Sequence, residues 1–259
     1  MALPRVLVLR CPGTNCDTET KFAFTKLGAP TDLVHLYYLQ KDPQLLHKYQ
    51  ILVLPGGFSY GDDVAAGKIL ANQLITYLGD ELKFFRDQEK LILGICNGFQ
   101  TLLKTGLLLQ NDVEDGPLAT LAPNQSGKFE ARWVNLRVVN QKSPFLTKID
   151  QLYLPVAHGE GNFICRKEWI LRGLKQTSQI ALQYVDSDGR APLYPGNPNG
   201  SQEDIAGICD ITGRVFGLMP HPERHILPTQ NPHWTRLGLK NEGDGLAIFR
   251  NAVDFFRKD

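Results

Sequence analysis

Leu91-Ile92-Leu93-Gly94-Ile95-Cys96-Asn97-Gly98-Phe99-Gln100 is the stretch on which the fold turns. Leu91 to Ile95 is a short apolar run of the kind that forms a strand buried on both faces. The residues after Cys96 read as a helix as far as Gly106. A Gly-x-Cys-x-Gly turn between a buried strand and a helix is a nucleophile elbow with Cys where Ser often stands. The glycines relieve crowding at the tight turn. The sulfur is then presented at a helix amino terminus, where partial positive charge favours thiolate. The bland alternative is a buried structural cysteine, the usual role of a lone Cys on an apolar strand. The flanking glycines favour the nucleophile.

Two more all-apolar runs lie upstream, Val6 to Leu9 and Ile51 to Leu54. Helical patterns separate the runs, over Cys16 to Leu27 and Ala65 to Phe85, with a short turn at Leu45 to Tyr49. Leu33 to Tyr38 reads as a further strand. Buried strands alternating with helices predict βαβ units and a parallel sheet covered on both faces. A ligand then binds just beyond the carboxyl ends of the strands. Further along, Trp133 to Val139, Gln151 to Ala157, Ile180 to Val185 and Arg214 to Leu218 read as antiparallel strands. Tyr194 to Ser201 reads as a loop. Leu246, Phe249, Val253 and Phe256 recur at helical spacing and predict a terminal helix docked on the body. The expectation is an α/β chain, mostly parallel at its centre, with additional antiparallel strands. It forms a single domain over 1–259, with a core of about 5–226 and an extension over about 227–259.

Composition narrows the function. The 259 residues are 42% apolar and 21% charged, an ordinary globular balance that excludes disorder over most of the chain. With 28 Lys and Arg against 27 Asp and Glu, the net charge of +1 speaks against a dedicated nucleic-acid binder. No run approaches the ~18 apolar residues of a membrane span. The start lacks the pattern of a signal peptide. Five scattered cysteines (Cys11, Cys16, Cys96, Cys165, Cys209) form no Cys-x-x-Cys pair, so a reducing, cytoplasmic setting fits. Gly61-Asp62-Asp63-Val64-Ala65-Ala66-Gly67-Lys68-Ile69 superficially suggests a phosphate loop. Its glycine spacing is one residue too long, Ile follows the Lys, and two aspartates would repel phosphate.

A thiol nucleophile needs a base, and His221 in Met219-Pro220-His221-Pro222-Glu223-Arg224 is the candidate. Pro222 pushes His221 toward extended backbone. In an extended segment, i and i+2 point the same way, which puts Glu223 beside His221. A carboxylate there fixes the imidazole tautomer and leaves the other nitrogen for sulfur. An inert surface turn is one alternative. Metal binding by His221 and His225 is another, but Pro222 breaks the helix that such spacing needs. Leu54-Pro55-Gly56-Gly57-Phe58-Ser59 completes the set, because glycines after a buried strand expose N–H groups that can hold an oxyanion.

The order Gly-Gly, elbow Cys, His-Pro-Glu resembles the class I (triad) glutamine amidotransferases, whose core is flavodoxin-like. Longer strings resemble the glutaminase subunits of phosphoribosylformylglycinamidine synthases. They are Cys11-Pro12-Gly13-Thr14-Asn15-Cys16-Asp17, Gly56-Gly57-Phe58-Ser59-Tyr60-Gly61-Asp62, the elbow through Gln100, His158-Gly159-Glu160-Gly161-Asn162-Phe163, Tyr194 to Ser201, and Met219-Pro220-His221-Pro222-Glu223-Arg224. The resemblance runs from Val6 to about Arg236. Asp62 to Lys68 and Phe99 depart from the commoner pattern without touching the triad.

The resemblance implies a catalytic triad of Cys96, His221 and Glu223, with an oxyanion hole from the Gly57 and Asn97 amides. It implies glutamine binding by Gly56, Gly57, Phe58 and Gln100. His158 and Glu160 are assigned to the glutamine site or an interface, with a structural turn as the alternative. No metal or cofactor is implied in this chain. ATP and magnesium belong to a synthetase partner that receives ammonia, and a small accessory subunit could bridge the two. Two other readings compete: a stand-alone cysteine amidase or peptidase on the same fold, and a non-catalytic binding module. The intact Cys96, His221 and Glu223 count against the second.

Overall fold

The computed structural model describes residues 3–112, 114 and 116–257. Eleven strands lie along the described chain: β1 (Val6–Arg10), β2 (Thr31–His35), β3 (Ile51–Leu54), β4 (Leu91–Ile95), β5 (Ala119–Pro123), β6 (Glu130–Val138), β7 (Gln151–His158), β8 (Glu160–Cys165), β9 (Ile180–Val185), β10 (Ile205–Cys209) and β11 (Val215–Leu218). The helices are α1 (Asp17–Lys26), α2 (Leu36–Lys41), α3 (Lys68–Asp87), α4 (Asn97–Thr105), α5 (Glu168–Gln176), α6 (Trp234–Leu237) and α7 (Leu246–Phe255).

Nine strands form one sheet in the order β2-β1-β3-β4-β11-β10-β9-β6-β7. From β2 to β11 every neighbouring pair is parallel. From β11 onward the pairing is antiparallel. The all-apolar runs explain the parallel part: β3 and β4 are buried at every position, as strands covered by helices on both faces must be. β5 and β8 pair separately in a small antiparallel sheet. The terminal helix α7 packs on α1 through an edge-to-face contact of Phe24 with Phe249, ring centroids 5.0 Å apart.

Two local readings need correction. Leu33 to Tyr38 is not one strand. β2 ends at His35, whose Nδ1 accepts a hydrogen bond from the Tyr37 N–H at 3.2 Å and caps α2. An N-cap decides that boundary, and apolar patterning does not reveal it. Arg214 to Leu218 is antiparallel only toward β10. Its other edge runs parallel to β4, with Gly217 opposite Gly94.

β1, β3, β4 and β11 therefore end at the same edge of the sheet. The segments leaving those ends carry Cys16, Gly56, Cys96 and His221. This is the edge where parallel sheets bind ligands.

Candidate active site

Cys96 sits between β4 and α4 with φ 50 and ψ −106, a conformation that side chains rarely adopt. Close packing holds it there. A Cβ on Gly98 would lie 1.8 Å from the Leu54 carbonyl oxygen, so only glycine lets α4 approach β3. The Cys96 N–H donates to the Leu218 carbonyl at 2.8 Å, which ties the elbow to the end of β11. The thiol is 5% exposed and contacts the Ala157 carbonyl at 3.7 Å.

His221 comes from the segment after β11, fixed by its N–H donating to the Pro155 carbonyl at 2.8 Å. Its Nδ1 meets Glu223 Oε1 at 2.6 Å, and both side chains are buried. Pro222 to Arg224 forms a 3-10 turn, so this pairing comes from a turn and not from strand alternation. Burial is the largest influence on His221 and works against its charge. Glu223, Cys96 and Cys16 together outweigh it and hold the imidazole pKa well above its ordinary value. His221 Nε2 is buried without a hydrogen-bond partner among the described residues, on a ring that feels the Cys96 sulfur. A charged imidazole in that position can supply a proton to a group reacting beside it.

Gly57 has φ 142 and lies against Gly13 and Asn15, where a Cβ would come within 2.8 Å of backbone. The backbone bonds of this turn run through Phe58 N–H to Gly13 and from Cys16 N–H to Gly56. Among the described residues, the Gly57 N–H is left without an acceptor. The Asn97 N–H is also free, as expected in the first turn of a helix.

Gly57, Phe58, Cys96, Gln100 and His158 line one cavity of about 210 Å³. Gly56 does not line it, contrary to the sequence expectation. It lies behind Gly57, where a Cβ would stand 2.8 Å from His221 Cε1. Gln100 is internally bonded, its Nε2 donating to the Glu160 carbonyl at 2.5 Å and its Oε1 accepting from Asn97 Nδ2 at 3.0 Å. Phe58 is half exposed and stacks on Phe129 at 6.4 Å.

His158 is buried and neutral. Desolvation, with the nearby His221 charge, pushes its pKa down to about 3. Its tautomer follows from its partner. Asn124 Nδ2 donates to the Lys128 and His158 carbonyls, so Asn124 Oδ1 accepts from Gly161 N–H and from His158 Nδ1. Nδ1 carries the proton and Nε2 is an acceptor.

Sequence reading did not foresee Cys16. Its sulfur lies 3.9 Å from His221 Nδ1 and accepts from Arg224, whose guanidinium also pairs with Glu19. Burial pushes the Cys16 thiol up, with the His221 contact opposing. Cys16 Sγ, His221 Nδ1 and a Glu223 oxygen lie within 4.8 Å of one another, a set of metal-ligand type. In this structure those atoms are engaged with each other and with Arg224. The pair His221 and His225 is not such a set, because His225 Nδ1 bonds the Tyr153 carbonyl at 2.7 Å.

Comparison with known proteins bears on the same chain. The profile of the CobB/CobQ-like glutamine amidotransferase domain matches residues 3–256. The phosphoribosylformylglycinamidine synthase subunit PurQ of Dehalococcoides mccartyi is 48% identical, over 100% of both chains. The subunit of that name from Methanococcus maripaludis is 42% identical, over 99% of this chain and 98% of its own. A chain in the structure of PurLQS from Thermotoga maritima superposes with a TM-score of 0.74 at 31% identity, over 98% of this chain and 100% of that one. A glutamine amidotransferase from Thermotoga maritima shares the fold, with a TM-score of 0.54 at 17% identity, over 100% of this chain and 87% of that one. The chain belongs to the CobB/CobQ-like glutamine amidotransferases and, among them, to the PurQ subunits.

Proposed function

We propose that this chain is the glutaminase component of phosphoribosylformylglycinamidine synthase. It hydrolyses glutamine to glutamate and ammonia. The ammonia passes to an ATP-dependent synthetase partner that makes formylglycinamidine ribonucleotide in purine biosynthesis. The observation that carries this reading is the cavity in which Cys96 meets Gly57 and Gln100, together with a buried His221 already paired with Glu223.

Each residue has one task. Cys96 Sγ attacks the side-chain amide carbon of glutamine. The Gly57 and Asn97 N–H groups hold the oxyanion. His221 gives its proton to the departing nitrogen, ammonia leaves, and a glutamyl thioester remains on Cys96. Water then attacks the thioester as His221 takes its proton, and glutamate is released. Glu223 keeps His221 oriented and charged at the first step. Phe58, Gln100 and His158 shape the glutamine pocket. All steps use this chain's side chains and amides, so the chain needs no cofactor, and ATP and magnesium serve the partner. No helix among the described residues is long and apolar enough to cross a membrane. The scattered free cysteines suit a reducing, cytoplasmic location. One domain carries the whole site.

The test is ammonia release from glutamine by the purified chain, with and without the synthetase, ATP and the formylglycinamide ribonucleotide. Partner-dependent stimulation is expected. A glutamine-analogue electrophile should form an adduct at Cys96 that Cys96→Ala abolishes, with loss of about a thousandfold or more in turnover. Absence of labelling with the partner present would overturn the assignment of Cys96.

A further inference from the structure

Gly56, which stays outside the Cys96 cavity, fronts a different space on the Nδ1 side of the His221 ring. A Cβ there would stand 3.1 Å from Cys16 Sγ and 3.4 Å from His221 Nδ1. Glycine thus leaves open a position bordered by a sulfur and an imidazole nitrogen, two atom types that bind zinc. Glu223 adds a third. Its Oε1 meets His221 Nδ1 at 2.6 Å, and its Oε2 is buried with no hydrogen-bond partner among the described residues. A carboxylate oxygen in that state is costly unless a donor or a cation meets it. Cys16, His221 and Glu223 are all at most 2% exposed, and none of them lines the cavity beside Cys96.

The spacing suits a metal ion. Zinc bonds to sulfur and imidazole nitrogen at a tetrahedral angle put those two atoms about 3.5 Å apart. Cys16 Sγ and His221 Nδ1 are 3.9 Å apart. A Glu223 oxygen lies within 4.8 Å of both, so shifts of about 1 Å close the set. One thiolate and one carboxylate cancel the two charges of the ion, which removes most of the penalty of burying it. A cation is already drawn to the sulfur. Arg224 Nη2 donates to Cys16 Sγ at 3.2 Å, while Arg224 Nε pairs with Glu19 at 3.0 Å. Arg224 and Glu19 are partly exposed, so turning the guanidinium outward opens a way in.

We infer that Cys16, His221 and Glu223 form an inhibitory site for a thiophilic divalent cation of the zinc type. On binding, Cys16 loses its thiol proton and His221 loses its Nδ1 proton, both to solvent. Bonds from Sγ, Nδ1 and a Glu223 oxygen to the metal replace them, and no electron is transferred. The metal takes the nitrogen through which Glu223 orients the ring, so His221 stops shuttling protons at Nε2. Turnover is arrested from behind the ring, and the cavity beside Cys96 stays open. The inhibition rests on the glutaminase reading, whereas the binding does not. Sulfur and imidazole donors select zinc, cobalt or cadmium over magnesium, so the synthetase's own metal leaves this site alone.

Two measurements on the full chain test this. In the complex with the synthetase, zinc at fixed free concentration should lower kcat for glutamine hydrolysis and leave KM unchanged, and magnesium should do neither. The half-inhibiting zinc concentration should rise about 100-fold in Cys16→Ser, each variant being compared with its own metal-free rate. It should fall about 5- to 10-fold in Arg224→Gln, where the competing cation is gone. The second measurement does not depend on turnover. Cobalt added to Cys96→Ala, which lacks the nucleophile, should bind with a thiolate-to-metal charge-transfer band. Adding Cys16→Ser to that variant should abolish the band while the circular dichroism spectrum stays the same, and Cys16→Ala repeats the test should the serine variant not fold. The inference is overturned if zinc inhibits Cys16→Ser as it does the wild type, if zinc competes with glutamine, or if the cobalt band survives the loss of Cys16. A wild-type complex that does not turn over glutamine would defeat the glutaminase reading instead, and the cobalt band would still decide the site.

Discussion

Gly98→Ala tests whether helix–strand contact sets the elbow. The added Cβ would stand 1.8 Å from the Leu54 carbonyl oxygen, and ordinary contact begins at 3.4 Å, so α4 and β3 must part by about 1.6 Å. Neither atom is the end of a flexible side chain, so the backbone must move. Overpacking of this kind costs about 1–3 kcal/mol. In a chain of this length that lowers the melting temperature by about 2–12 °C. The Asn97 N–H moves with α4, and a misplacement near 1 Å costs about a hundredfold in rate. Gly79→Ala is the matched control. Gly79 lies inside α3 with nothing within 4 Å of an added Cβ, so alanine should stabilise by about 0.5–1 kcal/mol and leave turnover alone. Thermal melts and ammonia release with the synthetase read both effects. If Gly98→Ala melts within 1 °C or so of wild type and keeps more than about half its activity, this reasoning is refuted.

Other consequences follow the same geometry. In Glu223→Gln the charge that helps hold the His221 pKa up is gone, so the alkaline limb of the kcat/KM profile should move to lower pH by about one unit or more. An unmoved limb would show that Glu223 does not set that pKa. His158 has a depressed folded pKa, so its penalty is absent above the unfolded value of about 6.5 and grows as pH falls toward 3. Between pH 7.5 and pH 5 the wild type should lose about 2 kcal/mol more stability than His158→Gln, and parallel melting curves would contradict this. Gly56→Ala should push on the His221 ring, lowering kcat about 10- to 100-fold with little change in melting temperature. Unchanged kcat would mean that the ring has room to yield.

The elbow, the parallel strands and the His-Pro-Glu turn were legible because each is written in a few adjacent residues. Apolar runs of four or five residues mark β1, β3 and β4 without reference to the rest of the chain. The end of β2 was not legible, because one imidazole cap outweighs the apolar pattern across it. β5, β8 and β10 were not read as strands, since their pairing depends on distant partners. The position of Cys16 against His221 joins residues 205 apart in sequence. Asp62 entered as a charge unsuited to phosphate and as one end of a motif string, not as a lining residue of the Cys96 cavity. Its place beside Cys96 depends on the turn that follows β3, whose left-handed residues no pattern foretold.

The positive φ of Cys96 sets heat resistance and turnover against each other at one position. A non-glycine residue in such a conformation stores about 1–3 kcal/mol of strain, which glycine would release. Cys96→Gly should therefore outlast the wild type on heating while losing its chemistry. Selection for survival at high temperature alone would drive position 96 toward glycine. The sulfur is kept for the chemistry of ammonia release and against the conformational preference of its own backbone.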